Sequence, residues 1–557
     1  MGKCVRYQEL KIKTKAYGRN AMSDFSRRKF LQTGTAGFAL TAAIGINPRF
    51  ISPAFASDLA QGMTGGPTGF DGAERFQYNE TMSEGRAIEG IKKLKAAGKT
   101  PEKLTMLLTD GAIGQIDKAF PKGAPSVKDV WERETGIKLE IVGAPAGEIW
   151  KRVLQDVTTQ SGAFDIYTHP WNSVGDLVEA NGAVKLDEYV DKYKPDWADP
   201  ERGSMTPQIA ELLYKYNGSH YTVSLDGDFH VWVYNKAMFD DPAHVAAFEK
   251  RYNHPLRHPV TWEESDHISE YFTGVTGITG KKMFGNGNDM SPFWGLPKFY
   301  ARMAAQAVPN MYWFDDHGRP NLDTPQAIKA ANEYVASIKW AHPDALSWTY
   351  AEAYAGMANG ITAHCMEYTN LPKFNDFIKE DGSPGTPIAG KLGAYIPPGV
   401  KHGDKLIRRS VIYYNINADV STGSKYPEVA YLFLQWLSST RTFSWMSGNP
   451  TGYFDPAQKA NLAEPLVQQT YHPYMVDAIK ETIVRCAPTL NFAGQTAMDT
   501  ALDEELQAAL TGQKTPEQAM LAAQKKWEKV IQRKGEDKMI PIINASRAAW
   551  PTLVEKA

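Results

Sequence analysis

Cysteine is nearly absent from this chain of 557 residues, which has only three. None forms a Cys-x-x-Cys pair or stands at metal-ligand spacing. That removes the usual basis for zinc ribbons, iron–sulfur clusters and c-type haem attachment. Gly-x-Gly-x-x-Gly after a strand, Gly-x-Ser-x-Gly and His-Glu-x-x-His are missing as well. Dinucleotide, serine-hydrolase and zinc-protease chemistry therefore have no motif to rest on. No cofactor and no metal are expected. Excess charge of one sign is also lacking, with 61 basic against 63 acidic residues. Such a balance calls for neither nucleic acid nor an anionic membrane surface. Beyond the N-terminal region there is no long apolar run, whereas a spanning helix takes about 20 apolar residues. Internal repeats and low-complexity tracts are absent too.

What is present first is an address. Ser26-Arg27-Arg28-Lys29-Phe30-Leu31-Gln32 precedes an uncharged, mildly apolar segment from Gly34 to Ile46, then Ala54-Phe55-Ala56. The stretch resembles a twin-arginine export signal, with a basic start, a short apolar core and small residues for signal peptidase. It implies the twin-arginine export machinery as a partner, cleavage near Ala56 and a periplasmic protein. Met22 stands just before the signal, so Met1 and Met22 are both possible starts. No cysteine sits at the cleavage site, so no lipid anchor is expected. Cys365 and Cys486 remain after cleavage, and a bridge between them and two buried thiols are both open.

About 500 residues then remain, ample for two or three domains. Residues 57 to about 80 are rich in Gly, Thr and polar side chains and read as a loose N-terminus. Residues 83–98 read as a polar helix stopped by Gly98. The core is expected to start at Leu104, with a strand Leu104–Leu108. A helix over about 125–135, a strand Lys138–Val142, a helix over 147–160 and a strand Phe164–Tyr167 follow. Strands alternating with helices of this length imply parallel sheets in an α/β fold. Thr222–Ser224 and His230–Tyr234 continue the pattern. Helices are expected at Phe299–Val308 and Pro325–Trp340, the second capped by Thr324. Val411–Ile416 reads as a strand and Lys425–Ser438 as an apolar-faced helix. From about 530 no element is apparent.

Several ordered segments resemble one family. Asp165-Ile166-Tyr167 closes a strand. Gly182-Ala183-Val184-Lys185-Leu186-Asp187-Glu188-Tyr189 resembles "G-x-L-x-x-L-D-x-Y". Tyr221–Ser224 followed by Tyr234-Asn235-Lys236 resembles "Y-x-x-P…Y-N-K", with Ser224 where proline is usual. Pro259–Glu264, Ala355–Ala363, Lys425–Ser439 and Ala509–Ala519 match further family patterns in order. Together these are similar to the extracellular solute-binding proteins of carbohydrate ABC transporters, the group that includes maltose-binding protein. The resemblance implies an α/β, two-lobe periplasmic-binding-protein fold of type II, with a hinge of crossing segments and a ligand cleft between the lobes. The expected layout is a leader over 1–56 and an N-terminal extension over 57–102. Lobe 1 takes 103–222 plus 406–455, lobe 2 takes 223–405 plus 456–530, and a C-terminal tail covers 531–557. Crossings are expected near Thr222, Asp404 and Phe454.

The implied function is capture of a sugar, oligosaccharide or polyol and its delivery to ABC permease subunits by lobe closure, without catalysis and as a monomer. A periplasmic carbohydrate-active hydrolase or lyase is the alternative. It would need paired carboxylates at a set separation, for which Asp228 and Glu367 are candidates. Sugars present C–H faces to aromatic rings and hydroxyls to carboxylates and amides. Trp171 and His169 follow a strand; the first is expected to stack and the second to bond a hydroxyl, although core packing accounts for Trp171 equally well. Asp226 and Asp228 precede Tyr234, and Asp228 falls where the family has an acidic sugar ligand. Glu367, Tyr368 and Asn370 follow a strand at Thr362–Met366. Trp294 is a second stacking candidate, with core packing as its other reading. Arg409 precedes a strand and is a candidate for a hydroxyl, with a surface ion pair as its other reading, and Thr451 is a further polar candidate near the hinge. Tyr234 and Lys236 read as structural.

Overall fold

Ser126 and Asp129 exchange hydrogen bonds across the first turn of a helix, each side-chain oxygen accepting from the other's amide at 3.0 Å. This capping box satisfies donors that a helix start leaves without partners, and it begins a helix where the sequence predicts one. The computed structural model describes residues 62–557 apart from 200–202, 204–206, 414 and 490. The twin-arginine stretch and the cleavage site lie outside the described residues.

Helix α1 (Ser83–Ala96) is followed by β1 (Lys103–Thr109), α2 (Asp110–Asp117), α3 (Val127–Thr135), β2 (Lys138–Ala144), α4 (Ala146–Thr159), β3 (Ile166–Pro170), α5 (Val174–Glu179) and β4 (Thr222–Ser224). Strand β1 runs parallel to β2 on one side and to β3 on the other. Leu104, Met106, Leu107 and Leu108 are all fully buried. A parallel strand covered on both faces reads as a continuous apolar run, as this one does. The chain then enters a second sheet with β5 (His230–Asn235) and β6 (Phe284–Asn286). Next come α6 (Leu296–Ala304), α7 (Pro325–Ala336), α8 (Tyr350–Ala358), β7 (Thr362–Tyr368) and β8 (Leu392–Tyr395).

A hairpin, β9 (Gly399–His402) and β10 (Lys405–Arg408), precedes β11 (Ser410–Ile412), β12 (Ile416–Val420) and α9 (Pro427–Ser438). Strand β12 returns to the first sheet, whose order is β2-β1-β3-β12-β4, and it pairs antiparallel with both β3 and β4. The second sheet has the order β8-β5-β7-β6. The rest of the chain gives β13 (Cys486–Pro488), parallel to β11, then α10 (Gln495–Leu510), α11 (Pro516–Lys534), α12 (Glu536–Ala548) and β14 (Glu555–Lys556). Two sheets joined by crossing segments make this a two-lobe α/β fold. The first crossing is short, residues 225–229 between β4 and β5. Thr222 itself lies in the first sheet, and Asp404 sits in the hairpin turn between β9 and β10.

Four expectations need correction. Residues 62–80 are not loose: Gly65 pairs with Tyr78, Phe76 and Tyr78 are buried, and Trp436 donates to the Tyr78 hydroxyl at 2.8 Å. The core begins before Leu104, because α1 buries Ile88 and Ile91, and Leu432 of α9 packs against Gly90. The residues after 530 finish α11, form α12 and end as a strand pairing with β10. The sequence hides α12 behind Pro541, yet Met539, Ile543 and Ser546 fall on one buried face at helical spacing. The predicted strand Val411–Ile416 is two strands, β11 and β12, serving different partners. Cys365 and Cys486 are free and buried.

Candidate functional site

The segment between the two sheets reads Leu225-Asp226-Gly227-Asp228-Phe229. Gly227 is required there by close approach, since a Cβ would lie 1.9 Å from the Pro456 carbonyl oxygen. Its amide donates to the Asp455 carbonyl at 3.1 Å, and the Asp455 amide returns a bond to Asp226 Oδ1 at 2.8 Å. Two crossing segments are thus laced together, with Asp226 and Asp228 presented on either side of the glycine.

Both aspartates line a cavity of about 50 Å³, smaller than a typical small-molecule site. Thr109 at the end of β1, Gly111 just after it, Ala146 after β2 and Ile416 of β12 form its first-sheet side. Gly111 lets the Tyr453 ring approach; a Cβ there would meet that ring at 2.8 Å. Trp294, Tyr350, Tyr354, Tyr368 and Tyr453 supply an aromatic wall, and Asn370 closes it. The rings touch in series, Trp294 to Tyr350 at 4.9 Å and Tyr350 to Tyr453 at 5.7 Å between centroids. Asn370 is anchored by accepting from the Tyr354 hydroxyl at 2.5 Å and donating to the Tyr453 carbonyl at 2.9 Å. Loops after parallel strands and a topological crossover are where open α/β sheets hold ligands.

Asp455, beside these aspartates, accepts from Thr369 Oγ1 at 2.8 Å and from the Tyr471 hydroxyl. Burial first, and then the neighbouring carboxylates, push Asp226 and Asp228 well above the usual carboxylate range. Burial pulls the nearby Lys373 ammonium down to about 8, against the attraction of the three aspartates.

Of the sequence-predicted residues, the cavity brings together Asp226, Asp228, Trp294, Tyr368 and Asn370. Others are committed elsewhere. Glu367 does not line the cavity: it precedes Tyr368 on β7, where successive side chains point to opposite faces. It lies 3.0 Å from Lys298 Nζ in a buried cluster with Asp289, so Asp228 and Glu367 do not share this opening as a pair. His169 is buried against Asp419 on one ring nitrogen and Ser173 Oγ, at 3.0 Å, on the other. Arg409 is fully buried and donates to main-chain carbonyls beside the C-terminal strand. Thr451 donates to Asn449 Oδ1 at 2.8 Å in its own turn and is not part of the lining. The Trp171 side chain lies outside the described residues. Sequence reasoning missed Tyr350, Tyr354, Tyr453 and Asp455. The i, i+4 spacing of Tyr350 and Tyr354 at the start of α8 was the available signal.

Asp499 of α10 ties the loop after β3 to α6, accepting from Asn172 Nδ2 at 2.7 Å and from the Tyr300 hydroxyl. Burial raises its carboxyl to about 6, against the opposing hydrogen bonds. An acid raised on folding costs stability as pH climbs from its unfolded value, near 4, to its folded one. Between pH 5 and pH 7 this group alone should remove about 1–2 kcal/mol. Denaturant melts at both pH values should show that slope flattened by this amount in Asp499→Asn, whatever constant offset the amide introduces.

The two sheets and the crossing between them give the two-lobe fold of periplasmic binding proteins. The chain belongs to the bacterial extracellular solute-binding protein family, whose model matches residues 127–472. It is 22% identical over 446 residues to a probable amino-acid ABC transporter periplasmic-binding protein of Sinorhizobium fredii, covering 76% of this chain and 89% of that one. Among solved structures it resembles an Agrobacterium radiobacter ABC transporter solute-binding protein in complex with ribitol (TM-score 0.62, 16% identity, 77% of this chain and 98% of that one). It also resembles maltose-bound MalE3 of T. maritima (0.62, 17%, 76% and 99%). A solute-binding protein of Agrobacterium vitis with bound D-mannitol is similar again (0.60, 19%, 78% and 99%).

Proposed function

We propose that this chain captures a sugar, oligosaccharide or polyol in the cavity at Asp228 and hands it to the permease subunits of an ABC importer. The observation that carries the reading is the lining itself: an aromatic wall of Trp294, Tyr350, Tyr368 and Tyr453 faces two carboxyls and an amide at the crossing of two sheets. Ring faces suit sugar C–H surfaces, and carboxylates and amides suit hydroxyls. The maltose, ribitol and mannitol complexes of similar folds support that ligand class over the amino acid in the name of the curated relative. The lobe boundaries are taken where the sheets change, after β4 at Ser224 and before β12 at Ile416, and the lobes close on the solute because it touches both. Arg27-Arg28 and Ala54-Phe55-Ala56 direct a monomer to the periplasm by the twin-arginine route.

Calorimetry against mono- and oligosaccharides and polyols tests the reading, and a saturable 1:1 complex without turnover is the expected result. Slow consumption of a solute with no stable complex would return the hydrolase alternative. Asp228→Ala should weaken binding about 10- to 100-fold, the size of a lost charge-assisted hydrogen bond. Unchanged affinity in the folded variant removes Asp228 from the site.

A further inference from the structure

The polar end of the cavity crowds three acidic groups together with no cation among the described residues of its lining. Asp226, Asp228 and Asp455 are buried, and their carboxylate oxygens lie within 4.8 Å of one another. Lys373 stands beside them, but it donates to the carbonyls of Gly452 at 3.1 Å and Phe454 at 2.7 Å. No basic side chain is among the described residues that line the cavity. Asp455 is satisfied by Thr369 and Tyr471. The Asp228 carboxyl stands within hydrogen-bond reach of the Asp226 and Asp455 carboxyls, but its Oδ1 is buried without a hydrogen-bond partner. The hydroxyl of Tyr368, a residue only 4% exposed, is likewise unpartnered and belongs to the same lining.

Two buried, unpartnered oxygens in one cavity point to a ligand group that serves both. A neutral hydroxyl can bond each of them but brings no positive charge to let the crowded carboxyls ionise. An ammonium has three donors and no acceptor; it can donate to both oxygens and offset a negative charge. The wall opposite adds to this. The rings of Trp294, Tyr350 and Tyr453 surround the same space, and ring faces attract cations, most strongly where water is excluded. The raised affinity of Asp226 and Asp228 for protons shows the same demand for positive charge.

We infer that the solute carries a protonated amine, received by Asp228 and Tyr368 within the aromatic wall. This deepens the solute-binding reading and rests on it. The ammonium could belong to an amino sugar, a polyamine or an amino acid, and the test separates these sources.

The experiment is calorimetry on the purified chain with D-glucosamine against D-glucose, an aminopolyol against its parent polyol, putrescine, L-serine and calcium chloride. The expected result is an amine that binds about tenfold or more tightly than its neutral partner. Asp228→Asn should abolish that gap while its circular dichroism and melting curve show a folded protein. Equal or tighter binding of the neutral partner overturns the amine and leaves the solute-binding reading standing. Putrescine or serine binding alone supports the amine and overturns the sugar scaffold. Calcium binding that Asp228→Asn removes, with no preference for amines, overturns the inference in favour of a metal. No heat from any member overturns both readings.

Discussion

Replacing Lys298 with methionine should remove about 3–5 kcal/mol of stability at pH 7, the usual result of stripping one partner from a buried ion pair. Lys298 is 2% exposed on α6, its Nζ donates to Asp289 Oδ1, and it lies 3.0 Å from Glu367 Oε1. Burial pulls its ammonium down, but the charges of Asp289 and Glu367 outweigh burial and hold it above its usual value. A basic group raised on folding contributes its stability at every pH below its unfolded value, so the whole contribution is present at neutral pH. Glu367 is pushed well up, by burial first and then by Asp289. Without Lys298 both acids would stand in the core uncompensated. The deficit should therefore shrink from pH 7 to pH 5 as the carboxyls take up protons. Denaturant melts of the single variant, and of the charge-free set Lys298→Met, Asp289→Asn, Glu367→Gln, decide the matter. The triple variant should recover most of the loss. A single variant within 1 kcal/mol of the parent would show that the cluster is not held together in this way.

The same cluster links stability to the cavity. Glu367 is the residue before Tyr368, and Lys298 also donates to the Trp294 carbonyl at 3.3 Å. Two of the aromatic surfaces are thus anchored from behind by one ammonium. A variant that still folds should bind solute more weakly with no ligand contact removed, because pre-organisation of the wall is lost.

These contrasts show what a sequence exposes. Runs such as Leu104–Leu108, and an N-cap such as Thr324, are local signals, and the strand and helix they predict appear within a few residues. Asp226 and Asp228 were legible because they sit at a fixed distance from a recognisable Tyr-Asn-Lys. Glu367 and Tyr368 were adjacent candidates, and only the pleat separates them, one into a salt-bridge cluster and the other into the cavity. Asp455 was invisible because its importance comes from meeting Asp226 across 229 residues of chain. His169 is expected from sequence to bond a sugar hydroxyl, and the partner that occupies it instead, Asp419, is 250 residues away. Long-range pairing, rather than residue type, is what the linear reading lacked.

Arg409→Ala is expected to cost a further about 3–5 kcal/mol, for a different reason. Arg409 forms no ion pair among the described residues, although the Glu555 charge lies near it; its guanidinium is spent mostly on main chain. Nη1 donates to Arg408 O at 2.7 Å, and Nη2 to Pro309 O at 2.8 Å, Leu553 O at 2.9 Å and Pro551 O at 3.2 Å. Nε donates to Asn310 Oδ1. Truncation strands several part-buried acceptors, each worth about 1–3 kcal/mol when left unsatisfied. Arg409→Lys should rescue only part, because a compact ammonium cannot reproduce the planar fork. The partners identify what is being held: the final segment, where Trp550 packs on Trp313 at 5.0 Å and Glu555 is gripped by Arg408 and Arg485. Deleting residues 550–557 should cost a similar amount, and the two changes together clearly less than their sum, since both remove the same contacts. Protease cleavage ahead of Trp550 should appear in Arg409→Ala at native conditions. Strictly additive losses, or an Arg409→Ala protein with its C-terminal segment still protected, would mean that the arginine does not clamp the tail.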